Sequence, residues 1–295
     1  MEYFCLIIII ISSFLFGSQF VPKKFSKVNE IIYCAAMSSG IFLNALVLTL
    51  LLTFKSYSFS YSYHSLVICF VAGFVWLFGN VLLIYAVTRI GIARPFVILN
   101  FTSVISFFGG IIFLREYAGL YSLIQAFIAM LIIIAGCIVI TETISKARKH
   151  SRIGIVAAFS SSIFFGIFNI LVVHSVNILK LDVVLAALSL SSGSLLASIS
   201  FLIVSRKFLD YLTTSGREQS LGIVGGIIWG LGNITSLYAL KTLGLSIGIP
   251  ILMGLITFFS ACWGIIAFKE LERSAIPKFI LGALLTLGGV VLIAL

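Results

Sequence analysis

Apolar runs of about 20 residues, the length a helix needs to cross the hydrocarbon core of a bilayer, recur ten times along the chain. They cover residues 3–21, 30–54, 65–88, 93–114, 120–143, 153–178, 183–204, 221–240, 245–268 and 276–295. Each is expected to be helical, because lipid offers no partner to unpaired backbone groups and the runs are too long for barrel strands. The first run has Glu2 and no Lys or Arg ahead of it and no small-x-small cleavage site behind it, so it reads as a retained helix. The connections are short. The longest, 205–220, holds Arg206, Lys207, Asp210, Arg217 and Glu218 and reads as a polar linker. Pro95 falls at the start of the fourth run, where a missing N–H costs little, and Pro250 lies inside the ninth, where a kink is expected.

Two of these runs resemble each other. At an offset of 153, Gly73, Trp76, Gly79, Asn80, Tyr85, Ala86 and Gly91 meet Gly226, Trp229, Gly232, Asn233, Tyr238, Ala239 and Gly244, seven identities in nineteen ungapped positions. Leu and Ile matches between apolar segments mean little, but a repeated Trp-x-x-Gly-Asn is hard to obtain by chance. Further on, Pro95 aligns with Pro250 and Arg115-Glu116 with Lys269-Glu270. The chain reads as two homologous halves, 1–150 and 151–295, separated by the basic segment Lys146–Arg152. Each half holds five spans, an odd number, so the halves enter the membrane in opposite senses. The expected fold is an all-α membrane protein of ten transmembrane helices arranged as two inverted five-helix repeats.

Charge orients this arrangement. Of the Lys and Arg residues, 15 fall in loops after odd-numbered spans and 4 in loops after even-numbered ones. The positive-inside rule then puts the odd loops in the cytoplasm and both termini on the other face. The net charge of +10 is spread singly or in short clusters between apolar runs, which suits loop anchors touching lipid rather than a nucleic-acid partner.

Composition narrows the function classes. With 61% hydrophobic and 9% charged residues, the 295-residue chain lacks the polar surface of a water-soluble domain and reads as an integral, multi-pass membrane protein. All nine acids lie at span ends or in loops; Glu142, the deepest, has Lys146 at i+4 and suggests a surface ion pair. No Lys or Arg occupies a span centre, and His174 sits near an outer end. An intramembrane carboxylate is the usual mark of cation coupling, and a divalent cation would want clustered oxygen ligands, so neither a metal site nor a cofactor is expected. Five cysteines in apolar runs show no metal-type spacing. With no paired carboxylates and no Ser–His–Asp set at one depth, the chain does not read as an enzyme.

What the span centres do hold is neutral and polar or aromatic. Trp76 and Asn80 share a face at i, i+4, as do Trp229 and Asn233, with Ser236 one turn on. Both tryptophans lie near midspan rather than in the headgroup belt. Ser18 and Gln19, Asn100 and Asn169 add hydroxyl and amide groups. Such residues also bond helix to helix at about 0.6–2 kcal/mol each. If they face a cavity, their chemistry suits an uncharged polyhydroxylated molecule, since amides both donate to and accept from hydroxyls and an aromatic face covers the apolar side of a sugar ring. The reading is a secondary carrier for a neutral sugar or similar polar metabolite. Its site is lined by spans one, three, four, six, eight and nine. An exchanger or exporter of a nucleotide sugar or another polar metabolite, or a non-transporting membrane receptor or sensor, are the alternatives.

The residues also carry a family resemblance. Phe16-Gly17-Ser18-Gln19-Phe20-Val21-Pro22 resembles the Leu-Phe-Gly-Ser-Asn-Phe-Val-Pro signature of the glucose/ribose-type sugar-uptake branch of the drug/metabolite transporter superfamily, which includes the transmembrane-protein-144-like group. Trp76-x-x-Gly79-Asn80, Trp229-x-x-Gly232-Asn233, and Cys262-Trp263-Gly264 leading to Phe268-Lys269-Glu270 are similar to the same branch. The resemblance spans essentially the whole chain and implies ten helices in two inverted repeats and carbohydrate transport by alternating access. The sequence departs in Gln19, one methylene longer than the usual Asn, and in keeping Asn233, a position where some members lose the motif. The superfamily also holds nucleotide-sugar, amino-acid and drug carriers, so the resemblance bears more on fold than on substrate.

Overall fold

Twelve helices make up the regular structure among the described residues, in the order of the apolar runs. The computed structural model describes residues 2–90, 93–116, 119–144, 151–267 and 275–294. Along the chain these helices are α1 (Glu2–Ser18), α2 (Val21–Phe25), α3 (Glu30–Phe54), α4 (Tyr63–Ile90), α5 (Ala93–Leu99), α6 (Phe101–Phe113), α7 (Leu120–Ile144), α8 (Arg152–Asn177), α9 (Val183–Val204), α10 (Phe208–Thr213), α11 (Gly216–Ile266) and α12 (Ile276–Ala294). Gly91, Lys146 of the expected pair with Glu142, and the run Phe268-Lys269-Glu270 lie outside the described residues.

Among the described residues, seven segments are long and apolar enough to cross a membrane unaided. One of them, α11, has 51 residues. At about 1.5 Å per residue it is about 75 Å long, more than twice a hydrocarbon core of about 30 Å. Gly244 divides it, with φ 76° and ψ 173°, so α11 makes two crossings, 216–243 and 245–266. The pair α5–α6 and the shorter α12 complete ten. The chain is a multi-pass membrane protein, and all its regular structure among the described residues is helical. Its outer face is apolar: Phe4, Ile112, Val204 and Leu284 are well exposed, as side chains that meet lipid should be.

Four details depart from the sequence reading. The fourth run is two helices, because Asn100 turns its own amide back onto the carbonyl of Phe96, four residues earlier, at 2.9 Å. That bond competes with the helical ladder. The first run ends at Ser18 and restarts at Val21, leaving Gln19 and Phe20 in a turn. The linker 205–220 contains α10 and the first turn of α11. The break between spans eight and nine comes from Gly244 rather than from Pro250. Pro250 lies in the second turn of the restarted helix, where only one carbonyl, that of Ser246, loses its partner.

The helices meet through small residues. Where α3 crosses α11, a Cβ on Gly40 would strike the Ile223 carbonyl and one on Gly226 that of Met37. Where α4 crosses α9, a Cβ on Gly73 would strike the Leu190 carbonyl and one on Gly193 that of Phe70. Without a hydrophobic drive inside lipid, such backbone contact is what holds membrane helices together. Hydroxyls add to it. Ser12 on α1 donates to the Gly232 carbonyl at 2.7 Å, and Ser161 on α8 donates to the Gly79 carbonyl at 2.8 Å. Beyond these seams α1 packs along α11, α8 along α4, and α7 along α12.

Candidate substrate cavity

The i, i+4 spacing on α4 and on the first part of α11 turns Trp76 and Asn80, and Trp229 and Asn233, toward the same interior space. The two indoles meet there with ring centroids 4.6 Å apart and planes at 55°. Neither reaches lipid: Trp76 is 0% and Trp229 5% exposed. Phe16 from α1 and Phe168 from α8 flank Trp229 at 5.7 and 6.3 Å. Aromatic pairs in such tilted arrangements add about 0.5–1.5 kcal/mol beyond their packing.

Around this cluster lies a partly open cavity whose outline takes in about 660 Å³ of space, the solvent at its mouth included. Its wall comes from α1 with the turn after it, α4, α5, α8 and both parts of α11. These are spans one, three, four, six, eight and nine. Seven of the sequence-derived residues stand in it: Gln19, Trp76, Asn80, Asn169, Trp229, Asn233 and Ser236.

Several of their polar atoms are idle. The Trp76 indole N–H and the amide oxygens of Gln19 and Asn233 have no hydrogen-bond partner within the protein, although all three residues are at least nine-tenths buried. The Asn80 amide donates only to sulfur, Cys34 Sγ at 3.4 Å and Met37 Sδ at 3.5 Å, both weak acceptors. Asn169 donates to Ser106 Oγ at 3.3 Å, and the Ser236 hydroxyl to the Asn233 main-chain carbonyl at 2.8 Å. Buried polar groups are normally satisfied; of the nine idle side-chain atoms among the described residues, those of Gln19, Trp76 and Asn233 belong to residues beside open space, where a polar ligand has room to pair with them. Among the described residues the wall carries no ionisable side chain.

Two expected site residues stand elsewhere. Ser18 is not in the wall; its hydroxyl donates to the Phe14 carbonyl at 2.7 Å and accepts from the Trp263 indole at 2.8 Å. Asn100 donates to Thr257 Oγ1 at 2.9 Å as well as to Phe96, and so ties the α5–α6 break to α11. Both do the helix-to-helix bonding that Ser and Asn commonly do inside membranes.

Other contributors are plain only in three dimensions. Phe16 and Phe168 are two of 27 phenylalanines, and nothing in the sequence sets them apart from lipid-facing ones. Glu116 is another. Half-buried after α6, its carboxylate accepts from the Leu245 N–H at 2.6 Å, the Ser246 N–H at 2.8 Å and the Ser246 hydroxyl at 2.7 Å. It caps the helix that restarts after Gly244 and ties the two halves together. The signal was present in the aligned Arg115-Glu116 and Lys269-Glu270.

Residue pairs at constant offset recur throughout the wall. Trp76, Asn80, Leu83, Phe96 and Leu99 each have their partner 153 residues later in the wall too. For α1 and α8 the offset is 149. It brings Phe16 onto Phe165, Gln19 onto Phe168, and the donors Ser12 and Ser13 onto Ser161 and Ser162. Ser13 donates to the Ile9 carbonyl and Ser162 to that of Ala158, again 149 apart.

Residues 2–143, just under half of the chain, match the model of a family described as "Sugar transport protein". No curated protein matches the chain. Among solved structures, one described only as "Crystal structure of protein" shares the fold with a TM-score of 0.74 at 13% identity, covering 99% of this chain and 98% of its own.

Proposed function

We propose that the chain is a secondary carrier for a neutral sugar or a closely similar polyhydroxylated metabolite, working by alternating access. The observation that carries this reading is the cavity: paired indoles, idle amide oxygens and an idle indole N–H in a wall without ionisable groups among the described residues. Amide oxygens accept from sugar hydroxyls, the indole N–H donates to one, and the aromatic faces cover the ring. A nucleotide sugar would ask for Arg or Lys opposite its diphosphate. The family match over residues 2–143 points to transport of a sugar-like substrate rather than to catalysis.

In this proposal residues 1–150 and 151–295 are five-helix repeats related by a two-fold axis in the membrane plane, with the substrate between them. Paired contacts support it. The glycine crossing of α3 on α11 has its counterpart in that of α9 on α4, and the Ser12–Gly232 bond has its counterpart in Ser161–Gly79. Trp76 and Trp229, matched by the repeat, touch each other, as equivalent residues beside a two-fold axis do. Rocking one repeat against the other then exchanges the face on which the cavity opens. The loop charges place both termini on the non-cytoplasmic side.

Uptake of labelled sugars into proteoliposomes tests the reading. Asn80→Ala or Asn233→Ala abolishes uptake while the protein stays folded by size-exclusion and thermal unfolding. Undiminished transport by both variants removes the two amides from the site. Failure of any sugar to enter or to raise the unfolding temperature overturns the carrier itself.

A further inference from the structure

The pairing of wall residues divides them into two groups. Some pairs are identical: Trp76 with Trp229, Asn80 with Asn233, and Phe16 with Phe165. Whichever half a substrate leans on, these pairs offer it the same groups. Others differ: Phe96 with Ile249 stays apolar on both sides, whereas the remaining breaks set a polar side chain against an apolar one. Gln19 faces the cavity where the second half has Phe168, and Ser236 where the first half has Leu83. Asn169 corresponds to Phe20, which is buried against Phe96 at 6.0 Å and is not in the wall.

The backbone differs at Gln19 as well. Over the corresponding stretch α8 runs on as helix to Asn177, whereas α1 stops at Ser18. The turn that follows brings the Gln19 side chain into the wall with its oxygen unpartnered and only 5% of the residue exposed. Gln19 and its helical counterpart Phe168 both reach the wall, so what the first half adds at this position is an amide in place of a ring.

We infer that Gln19, Asn169 and Ser236 are the specificity-determining residues. They fix which hydroxyls of the substrate are read and which way round it sits. The identical Trp76–Trp229, Asn80–Asn233 and Phe16–Phe165 pairs hold the ring but offer the same groups in either orientation, so they do not fix which way round it sits. This rests on the carrier reading above. A site built only from matched pairs would accept a substrate in two orientations. Three polar groups without counterparts leave one. A site that hydrogen-bonds a substrate hydroxyl rejects the analogue lacking it, because its own buried polar group then goes unpaired.

The experiment is a comparison of transport ratios in proteoliposomes between the best-carried sugar and its mono-deoxy and epimeric analogues. Gln19→Leu and Ser236→Ala are each expected to change the ratio for one hydroxyl position by about tenfold, the effect of one buried hydrogen bond, while an analogue lacking that hydroxyl keeps its wild-type rate. Leu83→Ser, which restores the match to Ser236, is expected to relax discrimination at the same position. Phe16→Leu, which removes an aromatic face but no hydrogen-bonding atom, lowers the rate for all sugars alike. Ratios within about twofold of wild type in Gln19→Leu, Ser236→Ala and Leu83→Ser, or a ratio changed as much by Phe16→Leu, overturn the inference while leaving the carrier standing. Equilibrium binding of the same analogues, read as thermal shifts, separates lost recognition from a misfolded variant. A wild-type protein that carries no sugar ends both.

Discussion

Replacing Glu116 by alanine tests how the break in α11 is held. The substitution withdraws both carboxylate oxygens from the Leu245 and Ser246 N–H groups and the Ser246 hydroxyl. Hydrogen bonds to a charged group are worth about 1.5–3 kcal/mol each when fully buried. Glu116 is half-buried and water will partly replace it, so the lower scale of helix N-caps is the fitting one, about 0.5–2 kcal/mol for each bond to a helix-start N–H. Two such bonds give a central value of about 2 kcal/mol, or about 30-fold in the local opening equilibrium. Hydrogen exchange of detergent-solubilised protein reads this directly. The amides of Leu245 and Ser246 should exchange about 30-fold faster, with those of α7 unchanged. Glu116→Gln keeps one carbonyl acceptor and should lose about half the effect in free energy. Exchange within about twofold of wild type in Glu116→Ala would mean that the restarted helix does not depend on this carboxylate.

Gly244→Ala places a side chain at φ 76°, ψ 173°, backbone that only glycine adopts readily, and should cost about 1–3 kcal/mol, measured as a lower unfolding temperature. Gly40→Leu and Gly193→Leu each wedge a helix crossing open; both should reduce folded yield on gel filtration, whereas leucine at the exposed Gly216 should not. Ser12→Ala and Ser161→Ala each remove one interhelical bond, at about 0.6 kcal/mol apiece, and small shifts of equal size in thermal unfolding are expected from the two. Single cysteines placed at Lys24 and at Ser58 should be labelled from opposite faces of sealed vesicles, with Lys24 cytoplasmic; labelling of both from one side contradicts the loop-charge orientation.

The helices were legible because lipid enforces one pattern. α3 and α9 begin and end where the apolar runs 30–54 and 183–204 do. The amphipathic i, i+4 logic also placed Trp76, Asn80, Trp229 and Asn233 in one cavity. Depth and neighbours were not legible. Ser18 and Gln19 are adjacent in sequence, yet the end of α1 sends one to Trp263 and the other into the wall. Asn100 read as a candidate ligand because an amide in an apolar run gives no hint of whether another helix or a cavity lies opposite. The 149-residue register of α1 and α8 was visible in Ser12-Ser13-x-x-Phe16-Gly17 and Ser161-Ser162-x-x-Phe165-Gly166. It escaped a comparison anchored at 153 because one helical turn separates the two offsets.

The meeting of Trp76 with Trp229 has a practical consequence. The chain contains 3 tryptophans, and two of them share the cavity wall. Ultraviolet emission of the unlabelled protein therefore comes largely from the chamber itself. Excitation passes between two rings this close, so any shift in their spacing or their wetting should alter intensity and colour together. If the proposed carrier reading holds, the molecule carries its own optical gauge of substrate occupancy, with Trp263, tied to Ser18, as the background against which to read it.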